Sequence, residues 1–328
     1  MNRITLAHGD GGELAHQLIQ EVFVEAFGSN KEAMFDAAVF SAQGKLAVST
    51  DSFVVKPMFF NGGNIGKIAV CGTVNDIAVS GATPLYLTCG FIIEEGLLVS
   101  DLKKIVQSMA EEAKKAGVQI VAGDTKVVEK GSCDGVYINT TGIGIVTYEL
   151  TPDAIEEGDS VLISGTIGDH GISILVDRGE LGLTANIASD CASLHGLIEE
   201  AQKTGAIKMM RDPTRGGLAT TLVELCEDFH VTMEIEEQAI PLKDEVHGAC
   251  DILGFDPLYL ANEGKAIFIV KKEQEQQVLE VLQRHPLGVD AAVIGHVVGK
   301  DGKLLLRTPI GSTRRMHRLS GMLLPRIC

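Results

Sequence analysis

Asn64-Ile65-Gly66-Lys67-Ile68-Ala69-Val70-Cys71-Gly72-Thr73-Val74-Asn75-Asp76-Ile77-Ala78-Val79 is the stretch whose reading decides the fold class. Its apolar residues fall at helical spacing, which predicts a helix over about 64–79 with Cys71 as a small buried hydrophobe inside it. Strands are read on both sides, Leu46 to Val55 before it and Pro84 to Ile93 after it. Strand, helix and strand in succession mark an α/β chain. The approach to the helix, Asn61-Gly62-Gly63-Asn64-Ile65-Gly66-Lys67-Ile68, has the outline of a phosphate-binding loop. Its leading glycine is out of register, and Ile68 stands where a Ser or Thr would hold magnesium, so a Walker site is excluded. No G-x-G-x-x-G follows the first strand, which removes a Rossmann site as well.

Outward from that core, Ser100 to Ala116 reads as a helix capped by Ser100 and stopped by Gly117. Val118 to Ala122 reads as a short buried strand and Gly135 to Val146 as a longer one. The polar segment 150–159, with Pro152, separates an N-terminal domain (1–150) from a C-terminal one (151–307). The second half predicts a strand at Ser160 to Ser164, helices near 170–178 and 189–204, and a glycine-rich loop at 212–217. A helix at Leu218 to Phe229, a strand at Ala266 to Val270, a helix at Glu273 to Arg284 and a strand at Ala291 to Val298 follow. Asp301-Gly302 predicts a closing hairpin. From Thr308 the pattern stops, and 308–328 is expected to be a mobile tail pivoting within Gly311 to Gly321.

The chain has 328 residues and a net charge of −16, from 28 Lys+Arg against 44 Asp+Glu. That balance argues against nucleic acid and anionic membrane as partners and permits sites that hold cations. The N-terminus lacks the apolar core of a signal peptide and no apolar run reaches spanning length, so a cytoplasmic protein is expected. Seven cysteines show no C-x-x-C pair and no Cys/His cluster, which weakens structural zinc. Most of the six internal ones are read as buried hydrophobes, Cys71 and Cys226 especially. The seventh, Cys328, ends the chain after Pro325-Arg326-Ile327, where a thiol is a chemical handle.

Single aspartates close strands and loops: Asp51 after Leu46-Ala47-Val48-Ser49-Thr50, Asp76 within the central helix, Asp124 after Val121-Ala122-Gly123, and Asp212 opening Asp212-Pro213-Thr214-Arg215-Gly216-Gly217. Such ends are where α/β proteins gather ligands. Carboxylates sharing a pocket repel one another unless a divalent cation neutralises them, and hard oxygen donors select Mg²⁺, here to carry a triphosphate. The glycines of His8-Gly9-Asp10-Gly11-Gly12, Gly11 and Gly12 above all, suit a loop closing over phosphates.

Together with Gly123-Asp124-Thr125-Lys126-Val127 and Asn262-Glu263-Gly264-Lys265, these segments resemble the AIR synthetase-like (PurM-like) superfamily over essentially the whole chain. Within it, the ending Pro325-Arg326-Ile327-Cys328 resembles the HypE family of hydrogenase maturation proteins. The resemblance implies two domains, a mixed sheet backed by helices in the first and a smaller α+β layer in the second, and a homodimer with nucleotide sites at its interface. It implies an ATP-dependent carbamoyl dehydratase. A HypF-type carbamoyltransferase would load Cys328 as a thiocarboxamide, and dehydration would give a thiocyanate, passed to a HypC and HypD complex as a cyanide ligand for NiFe hydrogenase iron. Asp51, Asp76, Asp124 and Asp212 are then expected to hold Mg²⁺ and ATP, with Arg215 near phosphate or in a salt bridge. Lys126 and Glu263 are expected to act together on the carbamoyl group, their roles undivided. Two other readings compete: a synthetase of the same superfamily acting on a free small molecule, and a thiol carrier that does no chemistry itself.

Overall fold

The computed structural model describes residues 3–28, 37–179, 185–321 and 327. Its first half is a four-stranded mixed sheet in the order β1-β6-β4-β5, formed by β1 (Leu46–Phe53), β4 (Ala82–Glu94), β5 (Gln119–Val128) and β6 (Val136–Val146). β1 and β4 flank β6 antiparallel, and β5 runs parallel to β4 at the far edge. A two-residue pair, β2 (Phe59–Phe60) and β3 (Gly63–Asn64), leads into the central helix. The amino-terminal loop enters a helix made of α1 (Glu13–Leu18), a π-helical stretch (Ile19–Val24) and α2 (Glu25–Phe27).

The central helix is α3 (Ile65–Val79), and its apolar surface runs all the way round. A helix of that kind must be covered on every side. The first sheet covers one side, α4 (Val99–Ala116) a second and the second half of the chain a third. Asn64 caps it, accepting from the Gly66 and Lys67 N–H groups at 2.9 and 3.1 Å. A side chain at Gly66 would meet the Ile105 carbonyl of α4 at 2.4 Å, so this close crossing requires glycine. Only Lys67 and Asp76 keep part of their surface open along α3.

The second half is built on a seven-stranded sheet in the order β13-β12-β9-β11-β7-β10-β8. Its strands are β7 (Ser160–Ile163), β8 (Ile207–Arg211), β9 (Thr232–Glu236), β10 (Ile267–Val270), β11 (Ala292–Gly299), β12 (Leu304–Arg307) and β13 (Thr313–Arg315). The helices are α5 (Asp169–Arg178), α6 (His195–Gln202), α7 (Gly217–Asp228), α8 (Asp244–Leu253) and α9 (Glu275–Arg284). A mixed sheet comes first and an α+β unit second, as expected.

Several local expectations need correction. The second sheet is the larger of the two, not the smaller. Ser100 lies inside α4, which starts at Val99 after a Leu98 cap that makes no side-chain bond. The strand expected to end at Ala122 continues to Val128 along an open edge. The second predicted helix of this half begins at His195 rather than 189. Asp301-Gly302 does not close a hairpin, because β9 lies between β11 and β12 and pairs with both. The pattern also does not stop at Thr308: β13 pairs with β12, Met316 is buried in the second core, and Leu319 N–H donates to Thr220 Oγ1 at 3.2 Å. The chain is therefore tied to the second half as far as Leu319.

Candidate functional site

Three of the four expected aspartates converge where β1, α3 and the loop after β8 meet. On β1, Ser49 and Asp51 are two residues apart and so share one face. The Ser49 hydroxyl donates to Asp76 Oδ2 of α3 at 2.6 Å. Burial raises the Asp76 pKa above the usual carboxylate range and the Asp51 charge adds to it, while the Ser49 bond pulls the other way. Asp212 has its carboxyl turned inward, and burial, with the charges of Asp76 and Asp51 behind it, pushes its pKa up to about 7. Arg215 Nη2 stands 4.0 Å from Asp51 Oδ1, which is the salt-bridge option of the two expected for it.

Asp124 is placed elsewhere. Asp51 lies in register with Thr140, Cys89 and Gly123 across the sheet, whereas Asp124 shares its row with Gly90, Asn139 and Ser52. Neighbouring rows point to opposite faces, and three strand spacings separate the sheet edges by roughly 14 Å. One chain therefore does not bring Asp124 onto an ion with the other three. Its carboxylate pairs instead with Lys126 Nζ at 2.8 Å, and that hydrogen bond holds its pKa below the usual range. Both line a cavity of about 580 Å³ with His8, Gly9, Asp10, Gly11, Cys89 and Phe91. Gly11 there has φ +82°, a conformation that favours glycine. Gly12 caps α1 beside it, and its N–H donates to Asp10 Oδ1 at 3.0 Å.

Glu263 is the other half of the expected Lys126 pair, and it is not beside Lys126. It is 3% exposed and lies against α3, with its Oε2 3.9 Å from where a Cβ on Gly72 would stand, a position that also meets the Phe53 ring of β1 at 3.0 Å. Its backbone N–H donates to Asp190 Oδ1 at 3.1 Å and that of Gly264 to Asp190 Oδ2 at 3.2 Å. A side chain at Gly264 would meet the Asp190 carbonyl at 1.9 Å, so glycine lets the two segments close on each other. Asn75 of α3 clamps the same region, donating to the Ala192 carbonyl at 3.0 Å and accepting from Leu194 N–H at 2.8 Å.

Ile327, the residue before Cys328, is 7% exposed and packs in the first core with Ile174, Cys191 and Ala261. Its carbonyl oxygen lies 2.7 Å from His170 Nε2. Cys328 itself, like Pro325 and Arg326, lies outside the described residues. The six internal thiols are all buried, as expected, and burial pushes Cys89 and Cys226 up to about 12, which keeps them protonated.

Sequence reasoning misses His170, Ser49, Ser189 and Asp190 as residues of the site. Ser49 had a readable signal, its i, i−2 relation to Asp51 on a strand. The others had none, because their partners are remote in sequence.

The family model for the AIR synthase related protein N-terminal domain matches residues 34–146, and that for the C-terminal domain matches 156–306. The chain is 48% identical to carbamoyl dehydratase HypE of Rhizobium leguminosarum bv. viciae, over 99% of this chain and 95% of that one. Among solved structures, hydrogenase maturation protein HypE in complex with ATP superposes with a TM-score of 0.94 at 45% identity, covering 98% of this chain and 99% of that one. The HypE chain of a HypE-HypF complex matches at 50% identity and a TM-score of 0.81, covering 92% and 99%. The chain belongs to the AIR synthase related proteins and, within them, to the HypE family.

Proposed function

We propose that this protein is an ATP-dependent carbamoyl dehydratase that converts a thiocarboxamide on its own Cys328 into a thiocyanate, supplying cyanide for a NiFe hydrogenase iron centre in the cytoplasm. The carrying observation is the seat of Ile327: the residue before the terminal thiol is buried beside Ala261 and Cys191, in the segments that hold Glu263. A free-substrate synthetase has no need to bury its chain end there, and a passive carrier has no need of the aspartates.

Asp51, Asp76 and Asp212 would hold Mg²⁺. Burial and, after it, their mutual repulsion raise the pKa of Asp212, and a hard dication relieves that repulsion, so the donor set fits the ion. Among the described residues no three His, Cys, Asp or Glu side chains are already spaced around one ion. Bound Mg²⁺ and ATP supply the phosphoryl group that makes the carbamoyl oxygen a leaving group. Glu263, a buried carboxylate, takes the nitrogen-bound protons as the C–O bond breaks. Lys126, a cation with an exposed side chain, polarises the carbamoyl oxygen.

Lys126 and Asp124 reach that centre from a second copy of the chain. The outer face of the first sheet carries exposed Leu46, Val48 and Ile92, an apolar surface suited to pairing two first domains. In such a homodimer the Asp124 edge of one subunit complements the Asp51 edge of the other. The partners are a HypF-type carbamoyltransferase before dehydration and a HypC and HypD complex after it. No helix among the described residues is long and apolar enough to cross a membrane. Cys328→Ala tests the reading: it should bind ATP yet yield no thiocyanate, and thiocyanate production by that variant would favour a free substrate.

A further inference from the structure

His170 is 0% exposed, and both of its ring nitrogens are engaged. A carbonyl oxygen only accepts, so the 2.7 Å contact with Ile327 O puts the ring proton on Nε2. Nδ1 of the neutral ring then accepts, and Ser189 Oγ at 2.8 Å is the donor. Ser189 Oγ in turn accepts the Cys191 N–H at 3.1 Å, so each group in the chain has one consistent role. Burial lowers the His170 pKa, which keeps the imidazole neutral and preserves this tautomer. Phe60 fixes the ring plane from the edge, with centroids 5.7 Å apart at 85°.

The run 189–191 connects this latch to Glu263. Ser189 orients His170, Asp190 accepts the N–H groups of Glu263 and Gly264, and Cys191 is buried in the same hydrophobic core as Ile327. Gly171, next to His170, donates to the Ala261 carbonyl at 3.2 Å, which binds α5 to the run that carries Glu263. The held carbonyl belongs to the peptide unit that joins Ile327 to Cys328.

We propose that His170 is a positioning residue, a hydrogen-bond latch on the Ile327 carbonyl that seats the loaded chain end for dehydration and must be released for loading. This rests on the dehydratase reading above. Breaking the bond leaves a buried N–H without its acceptor, which biases the end inward and sets a barrier to its departure. Ser189 is its orienting partner, since the latch needs the proton on Nε2.

The test uses the full-length protein and the variants His170→Phe, which keeps a ring but has no donor, and His170→Gln, which offers a side-chain N–H near the same place. Alkylation of Cys328 by iodoacetamide, read by intact mass, needs no turnover. It should be roughly ten-fold faster in His170→Phe than in wild type, and near wild type in His170→Gln. Single-turnover dehydration of carbamoylated protein should slow by a similar factor in His170→Phe, with ATP affinity unchanged and carbamoyl acceptance no slower than in wild type. Should His170→Phe fail to fold, Ser189→Ala takes its place, with the same direction expected. Equal alkylation and dehydration rates across folded variants would overturn the latch. A wild-type protein that never dehydrates, with the alkylation contrast intact, would instead count against the dehydratase reading.

Discussion

The Ser49 hydroxyl of β1 donates to the Asp76 carboxylate of α3 at 2.6 Å, joining the edge strand of the first sheet to a helix that packs against both halves of the chain. The bond favours the charged form of a carboxylate whose pKa burial raises. Asp76→Asn keeps the shape and an acceptor for Ser49 but removes the charge. ATP turnover should fall by at least about a hundred-fold while the melting temperature stays within a few degrees, since a lost ligand charge acts on the bound phosphates rather than on the core. Steady-state ATPase and calorimetry on the same preparation check both halves, and normal turnover would remove Asp76 from the site.

Asp212 gives a pH signature. Its folded pKa of about 7 is above its unfolded value, so the native state binds more protons between those two values. Stability of the metal-free protein should therefore fall as pH rises from about 4 towards 7, through this group. Asp212→Asn should remove that slope and stabilise the metal-free protein by roughly 1 kcal/mol at pH 8, after allowing for solvent screening and coupling to Asp76. Urea unfolding at pH 5 and pH 8 measures the difference. A wild-type slope retained in the variant would place the titration elsewhere.

Lys126 lies on the outer face of the first sheet and Glu263 is buried against α3, so one chain does not bring them together and two defective chains can repair each other. Lys126→Ala and Glu263→Ala homodimers should each accept the carbamoyl group and stall before thiocyanate. Co-expressed and mixed, they should recover roughly a quarter of wild-type dehydration if subunits assort at random, because half the dimers then hold one intact site. No recovery from a verified heterodimer would show that both side chains act from the same subunit.

Much of this was legible before any coordinates. The buried helix at 65–79 followed from its unbroken apolar periodicity, and the aspartates stood out because glycines and strand ends framed them. What was hidden depends on pairing across long sequence distances. Asp301-Gly302 has the composition of a hairpin turn, yet β9, some seventy residues earlier, takes the place between its flanking strands. Thr313–Arg315 is exposed and polar, so nothing in its pattern shows that it adds an edge strand to β12. Asp51 and Asp124 look alike as sequence motifs, and only the register of four strands separates them. His170 reads as one more loop histidine until Ile327, 157 positions later, is placed on its Nε2.

The ordered path to Leu319 narrows where the chain end can pivot. Hydrogen exchange at Leu305 and Met316, held by the β12 and β13 pairing, should stay slow with or without ATP and with or without a carbamoyl group on Cys328. Any change on loading should begin beyond Leu319. Fast exchange at Met316 in one of the four states would return the pivot to the wider segment between Gly311 and Gly321.

The central claim is that the protein itself dehydrates the group on its terminal thiol. Carbamoylated full-length protein, freed of the transferase, is mixed with MgATP and sampled by intact mass over a single turnover. The predicted result is loss of one water from the carbamoylated species, with one ATP cleaved per thiol and no conversion when MgATP is omitted. A carbamoylated mass that stays unchanged while ATP is bound or hydrolysed would contradict the claim.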